Sequence, residues 1–154
     1  MRQIWNQYYD DAAGIVLVID AADHRRLNEA LSVAVAVLRS SRLQGTPLLI
    51  LANKNDKVGA VDTHTLHCRL VDTLREDGVR DLPSVLASAP GSASAGAAAA
   101  SPSSATHTEL LGHSVVIASI SALACDGVKE AIEAFVPHAR EAAVKANAAS
   151  SQSV

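Results

Sequence analysis

The residues with the most chemical content form one turn, Asn53-Lys54-Asn55-Asp56, placed directly after the apolar run Leu48-Leu49-Ile50-Leu51-Ala52. A carboxylate such as that of Asp56 can accept two adjacent N–H groups as a charge-assisted, bidentate pair. Guanine presents that donor pair at N1 and N2, whereas adenine lacks it and would leave the carboxylate unpaired. A site built around such a group can reject the deficient analogue by about 10⁴-fold. The amide of Asn53 can reach guanine N7 or tie neighbouring loops together, and the aliphatic stem of Lys54 can cover one face of the ring. A second polar turn, Ser121-Ala122-Leu123, follows another apolar run, and the backbone N–H of Ala122 can donate to guanine O6. The competing reading is a polar turn with an N-capping aspartate, and a four-residue motif alone does not separate the two. The strand context and the second turn favour base binding.

Those turns must be held by regular elements, and the hydrophobic pattern supplies them. Ile15-Val16-Leu17-Val18-Ile19, Leu48–Ala52 and Val115-Val116-Ile117-Ala118 are continuous apolar runs of strand length. Runs without alternation read as strands buried on both faces, the mark of parallel strands covered by helices. Each run is followed by a helix-period segment: Leu27, Ala30, Leu31, Ala34, Val35 and Leu38; then Leu66, Leu70, Val71 and Leu74; then Val128, Ile132, Phe135, Val136, Ala139 and Ala143. Asp23 is a candidate N-cap for the first helix, and Pro137 a candidate bend in the last. The fold expected is α/β, with parallel strands at about 15–20, 48–52 and 114–119 and helices at about 24–40, 63–76 and 127–147. Ahead of it, Ile4, Trp5, Tyr8 and Tyr9 predict a short helix with its aromatic side chains turned inward. In such open sheets, ligands bind beyond the carboxyl ends of the strands, where both polar turns lie.

The remainder bounds the answer. Residues 87–105 are all Ala, Ser, Pro or Gly, which cannot bury enough surface to offset ordering entropy, so 87–106 is expected to be a disordered insert and 147–154 a flexible tail. The chain of 154 residues is otherwise long enough for a single core. A formal net charge of −3 excludes a globally basic nucleic-acid binder. No stretch of about 18 bulky apolar residues exists to span a membrane, and no apolar signal core follows Met1. Two cysteines, Cys68 and Cys125, suit a reducing compartment. A soluble, cytoplasmic, single-domain protein is expected.

Other reactive residues carry less. His64-x-x-His67-Cys68 places two imidazoles one helical turn apart, but a structural zinc site needs four ligands and no second cluster exists. Asp20 and Asp23 resemble a magnesium pair only superficially. Arg25, Arg26, Arg39 and Arg42 are expected on a solvated helix face.

Several segments together resemble the ADP-ribosylation-factor (Arf) family of small GTPases. Trp5-x-x-Tyr8-Tyr9, Gly14-Ile15-Val16-Leu17-Val18-Ile19-Asp20 and Asp23-x-x-Arg26-Leu27 are similar to its segment after the second switch. Leu51-Ala52-Asn53-Lys54-Asn55-Asp56 and Ser121-Ala122-Leu123-x-x-x-Gly127-Val128 follow in the family's order. The Tyr-Tyr pair and the Ser-Ala-Leu turn are most similar to the Arf-related-protein branch. The resemblance spans residues 1–82 and about 114–140.

The resemblance implies the C-terminal part of a phosphate-loop GTPase fold, with GTP or GDP as ligand. Asn53, Lys54, Asp56, Ser121, Ala122 and Leu123 would hold the base. It also implies magnesium in the complete fold, an exchange factor, a GTPase-activating protein and effectors as partners, and a peripheral place on Golgi membranes in vesicle traffic. This sequence departs from the family in several ways. It contains no G-x-x-x-x-G-K-[ST], first-switch threonine, catalytic glutamine or acylated N-terminal segment, so an N-terminally shortened chain without catalytic residues is expected. Lys57-Val58 replaces the Leu-Pro pair that often follows the guanine motif. The alternatives are a non-hydrolysing interaction module derived from a GTPase, and half of a dinucleotide-binding protein. The second lacks any G-x-G-x-x-G after a strand.

Overall fold

The computed structural model describes residues 5, 7–80, 82 and 105–150. The elements run β1 (Ile15–Asp20), α1 (Leu27–Leu38), β2 (Leu48–Asn53), α2 (Thr63–Glu76), β3 (Thr106–Leu110), β4 (His113–Ser119) and α3 (Val128–Ser150). They form one sheet in the order β1-β2-β4-β3. β1, β2 and β4 are parallel, in the register Ile15↔Leu48 and Leu48↔Val115. The α/β fold with three parallel strands and three helices is therefore as the sequence predicts.

The central strand shows why. In β2, Leu48, Ile50 and Ala52 pack into one core with Leu27, Leu31, Leu38, Leu66, Leu70 and Leu74, beneath α1 and α2. Leu49 and Leu51 point the other way and join Val116, Ala118, Ala131 and Phe135 under α3. Burying a leucine side chain contributes about 1.5–3 kcal/mol, so a strand apolar on both faces makes the sheet the middle of a three-layer sandwich.

β1 departs from the expectation of burial on both faces. Ile19 is buried, but Val16 and Val18 are 48% and 57% exposed. The reason is position: β1 is the sheet edge, and the core beneath α3 is built from β2 and β4 alone.

Three further differences have local causes. The sheet has a fourth strand, β3, paired antiparallel with β4 from Thr106↔Ile117 to Leu110↔His113. Leu111 and Gly112 join the two as a two-residue loop with φ of 54° and 79°, the geometry of a type I′ hairpin. The low-complexity stretch therefore gives way to strand at Thr106; residues 83–104 lie outside the described residues. Second, α1 starts at Leu27, not near residue 24. The Asp23 carboxylate accepts from Arg26 N (3.2 Å) and Arg26 Nε (2.7 Å), closing a turn ahead of the helix, while Arg26 occupies the cap position without a side-chain cap. Third, Trp5 and Tyr8 are 42% and 68% exposed instead of inward-facing; only Tyr9 packs partly on the core, and Ile4 lies outside the described residues.

α2 occupies the expected span. Asp62 caps it, accepting from Thr65 N at 2.8 Å, which holds its carboxyl below the ordinary carboxylate range. α3 runs past its expected end to Ser150 with Pro137 inside it. Among the described residues, no helix is long and apolar enough to cross a membrane.

Candidate functional site

The parallel pairing of β2 with β4 brings both polar turns to one end of the sheet, with Ala52 beside Ser119. Past the strands the backbones stay linked: Ile120 N donates to Ala52 O (2.9 Å) and Asn55 N to Ile120 O (3.1 Å). Residues about 65 apart in sequence thus share one rim, as topology and not proximity in the chain dictates.

Asn53 fastens the rim. Its Oδ1 accepts from Lys54 N at 2.8 Å and from Ala122 N at 3.0 Å. Of the two roles open to Asn53 from sequence, the structure shows the tying of loops. The Ala122 amide, expected from sequence to face guanine O6, is here donated to Asn53.

Ser121 fastens the second contact. It is buried, and its hydroxyl donates to Asp56 Oδ1 at 2.6 Å while accepting from Ala124 N at 3.2 Å. One oxygen of the exposed Asp56 carboxylate is thereby fixed, and Oδ2 has no protein partner among the described residues. The loop that carries Ser121 is closed at its base by reciprocal bonds between Ser121 and Asp126, both 3.0 Å. Ala122 and Leu123 lie in the exposed part of that loop, with Leu123 90% exposed.

Lys54 adopts φ +70°. A non-glycine residue in this left-handed region costs about 1–2 kcal/mol, and such strain gathers at functional sites. The turn sends its side chain across the sheet end to β1, where Nζ meets Asp20 Oδ2 at 2.5 Å. Asp20 also accepts from Ala22 N (3.1 Å), and the Lys54 hydrogen bond, ahead of that one, holds the Asp20 carboxyl below its ordinary range. The six residues singled out from sequence are therefore all at one end of the sheet. Asn53, Asp56, Ser121 and Ala122 are joined by direct bonds, Lys54 leans toward β1, and Leu123 stands free of contacts that would bury it.

Two supporting residues are not evident from sequence. Asp20 reads there as a strand end and as half of a superficial magnesium pair, but it is the partner that orients Lys54. Gly127 reads only as one position in a pattern. It sits at φ +73°, where a Cβ would lie 2.6 Å from the Ser119 carbonyl oxygen, so the glycine lets the loop close against the strand. The available signal is its spacing, six residues after Ser121, where a loop returning to a helix start must turn. Beside the rim, on the β1 side of Lys54, lies an open cavity of about 490 Å³ lined by Asp20, Ala22, Asp23, His24, Arg25, Lys57 and Val58. It does not extend over Asp56 or Ser121.

His64 Nε2 lies 3.7 Å from Cys68 Sγ, and burial lowers the pKa of His67. No group of three or more His, Cys, Asp or Glu side chains able to hold a metal ion exists among the described residues. Arg26, Arg39 and Arg42 are exposed and pair with Asp23, Asp77 and Asp10.

Comparison with known proteins agrees with this geometry. The model of the ADP-ribosylation factor family matches residues 1–138. Over 83 residues the chain is 35% identical to ADP-ribosylation factor-like protein 3 of Chlamydomonas reinhardtii, covering 54% of this chain and 45% of the relative. Over 81 residues it is 32% identical to ADP-ribosylation factor-related protein 1 of Rattus norvegicus, covering 53% and 40%. The chain thus spans less than half the length of these relatives. A solved structure of the Arl6 BBS3 small GTPase from Trypanosoma brucei, with bound nucleotide analogue GppNp, superposes with a TM-score of 0.60 at 24% identity. That match covers 91% of this chain and 66% of that one and establishes the shared fold. Family model, relatives and fold coincide: the chain belongs to the ADP-ribosylation factor family of small GTPases.

Proposed function

We propose that this chain supplies the guanine-recognising half of a guanine-nucleotide site, within a nucleotide-dependent switch of vesicle and Golgi membrane traffic. The observation that carries the reading is the Ser121–Asp56 contact at 2.6 Å together with Asn53–Ala122 at 3.0 Å. These bonds pre-position one carboxylate at the end of a parallel sheet and leave its second oxygen available. Preorganised acceptors of this kind bind a donor pair without further ordering.

In this reading Asp56 accepts from N1–H and N2–H of the base, and Ser121 orients Asp56. Asn53 keeps the two turns in register. The stem of Lys54, drawn across the sheet end by Asp20, offers an apolar edge to the ring. Ala122 and Leu123 form the outer wall, and the Ala122 amide reaches guanine O6 only by leaving Asn53. The donor set fits a neutral purine and makes no provision for phosphate: the sequence contains no G-x-x-x-x-G-K-[ST]. In this reading the role of these residues is to hold the base. Exchange factors, GTPase-activating proteins and effectors are the partners that the family suggests.

A second reading, a non-hydrolysing interaction module, draws on the exposed apolar side chains of Val16, Val18 and Leu123. Saturation-transfer NMR with guanosine and adenosine separates the two. Binding of guanosine with preference over adenosine, lost in Asp56→Ala, supports base recognition; no discrimination between the nucleosides favours the module.

A further inference from the structure

The turn that carries Asp56 is held from two sides. Toward β4 it is fastened by Ser121 and by the bond from Asn55 N to Ile120 O. Toward β1 it meets the loop between β1 and α1. Where the turn begins, Ala21 N donates to Asn53 O (2.9 Å) and Lys54 Nζ reaches Asp20. Where it ends, Val61 N donates to Ala21 O (2.9 Å). Between those points His24 Nε2 meets Gly59 O at 2.7 Å, across 35 positions of sequence. A carbonyl oxygen only accepts, so Nε2 carries the proton and donates.

The middle contact differs from the outer ones. Ala21 and Val61 are 1% and 7% exposed, so packing holds both ends of the turn. Lys57, Val58 and Gly59 are exposed, Val58 wholly so, and packing does little to place them. Their backbone adds little stiffness: the arm holds no proline, and Gly59 sits at φ +83°, a conformation that glycine enters freely. Two successive turns order the arm from within, Lys57 N to Lys54 O (3.0 Å) and Ala60 N to Lys57 O (3.1 Å). The first has Asn55 and Asp56 as its central residues, so movement of the arm is movement of Asp56.

We propose that His24 is a positioning residue for base recognition: by holding Gly59 it fixes the arm on which the Lys54–Lys57 turn closes, and so keeps Asp56 aimed at the base without touching it. The inference rests on the reading of Asp56 as the guanine acceptor. It adds a specificity determinant on the side of Asp56 away from Ser121 and outside both polar turns. Ser121 sets one oxygen of the carboxylate, whereas His24 sets the backbone that carries the carboxylate.

The test compares His24→Leu, which cannot donate, with His24→Gln, whose side-chain amide donates from about the place of Nε2. His24 is exposed, so neither change should shift the melting temperature appreciably. Guanosine and adenosine are titrated into the 154-residue chain by saturation-transfer NMR. His24→Leu should weaken guanosine by about 2- to 10-fold, the range of one net hydrogen bond, and leave adenosine as in the parent. His24→Gln should restore guanosine to near the parent's affinity. General loosening of the fold would neither spare adenosine nor be rescued by glutamine. Solvent-exchange NMR gives a readout that needs no nucleoside. The amides of Lys57 and Ala60 should exchange faster in His24→Leu than in the parent or His24→Gln, while Ile120, whose amide donates to Ala52 O, stays as protected as before. A parent without preference for guanosine would overturn the base-binding reading and this role with it. If the parent does prefer guanosine, this inference alone is overturned by His24→Leu matching the parent, by His24→Gln doing no better than His24→Leu, or by unchanged exchange at Lys57 and Ala60.

Discussion

Replacing Gly127 by alanine tests whether the loop bearing Ser121 is held by close backbone approach. Two costs are separable. The residue sits at φ +73°, where a side chain costs about 1–2 kcal/mol. The new Cβ would also lie 2.6 Å from the Ser119 carbonyl oxygen and 3.5 Å from Ile120 Cα, atoms of a strand end that cannot swing aside. Forced overpacking of this kind costs about 1–3 kcal/mol. Gly78 provides the control: its φ is +87°, and nothing lies within 4 Å of an added Cβ, so Gly78→Ala meets only the first cost. Chemical unfolding followed by circular dichroism should give a loss of about 2–5 kcal/mol for Gly127→Ala against about 1–2 for Gly78→Ala, with unchanged m-values. Equal losses would mean that the Ser119 contact constrains nothing, and the account of a loop locked against the strand would fail.

Two other outcomes follow from the same structure. The 154-residue chain should release phosphate from GTP no faster than buffer over multiple turnovers, because phosphoryl transfer needs a phosphate cradle, a metal ligand and a water-positioning group; turnover above buffer would refute that. Asp62→Ala removes the cap of α2 and should cost about 1 kcal/mol at neutral pH. The folded-state pKa of Asp62 is lowered from 3.8, so its contribution is present above the unfolded pKa and disappears as pH falls through the folded value. The stability gap between parent and variant, measured by unfolding across pH, should therefore close below about pH 4; a gap that persists in acid would contradict the capping role.

The sheet was legible because β2 is apolar on every residue but its last, the pattern of a strand covered on both faces. The same pattern misled at β1, since a run of apolar residues does not say whether a strand is central or at an edge; Val16 and Val18 are exposed for want of a neighbouring element, not of hydrophobicity. β3 escaped because Thr106–Leu110 is short and alternates in burial beside a featureless stretch, while its turn uses Leu111 at positive φ in place of the usual Asn or Asp. At the site, residue types fixed the candidate set, but hydrogen-bond partners belong to tertiary geometry. Sequence could not choose between base and loop for Asn53, or show that Lys54 reaches Asp20 on a strand 34 residues earlier.

The central claim is that Asp56 reads guanine, and its most direct measurement is competition binding of GTP and xanthosine triphosphate to the parent and to Asp56→Asn. The chain would be extended by a phosphate-loop segment so that triphosphates are held. Ser121 donates to one Asp56 oxygen, so in the variant the amide oxygen takes that bond and the NH₂ group occupies the place of Oδ2. A donor then faces N2–H of guanine but suits the carbonyl oxygen that xanthine carries there. An unpaired buried polar group costs about 1–3 kcal/mol, so GTP affinity should fall roughly 5- to 150-fold while xanthosine triphosphate gains relative to it. Asn55→Ala, at the variable position of the turn, should leave both affinities near the parent's. Equal GTP affinity in parent and Asp56→Asn would contradict the account and reduce the motif to a capped turn.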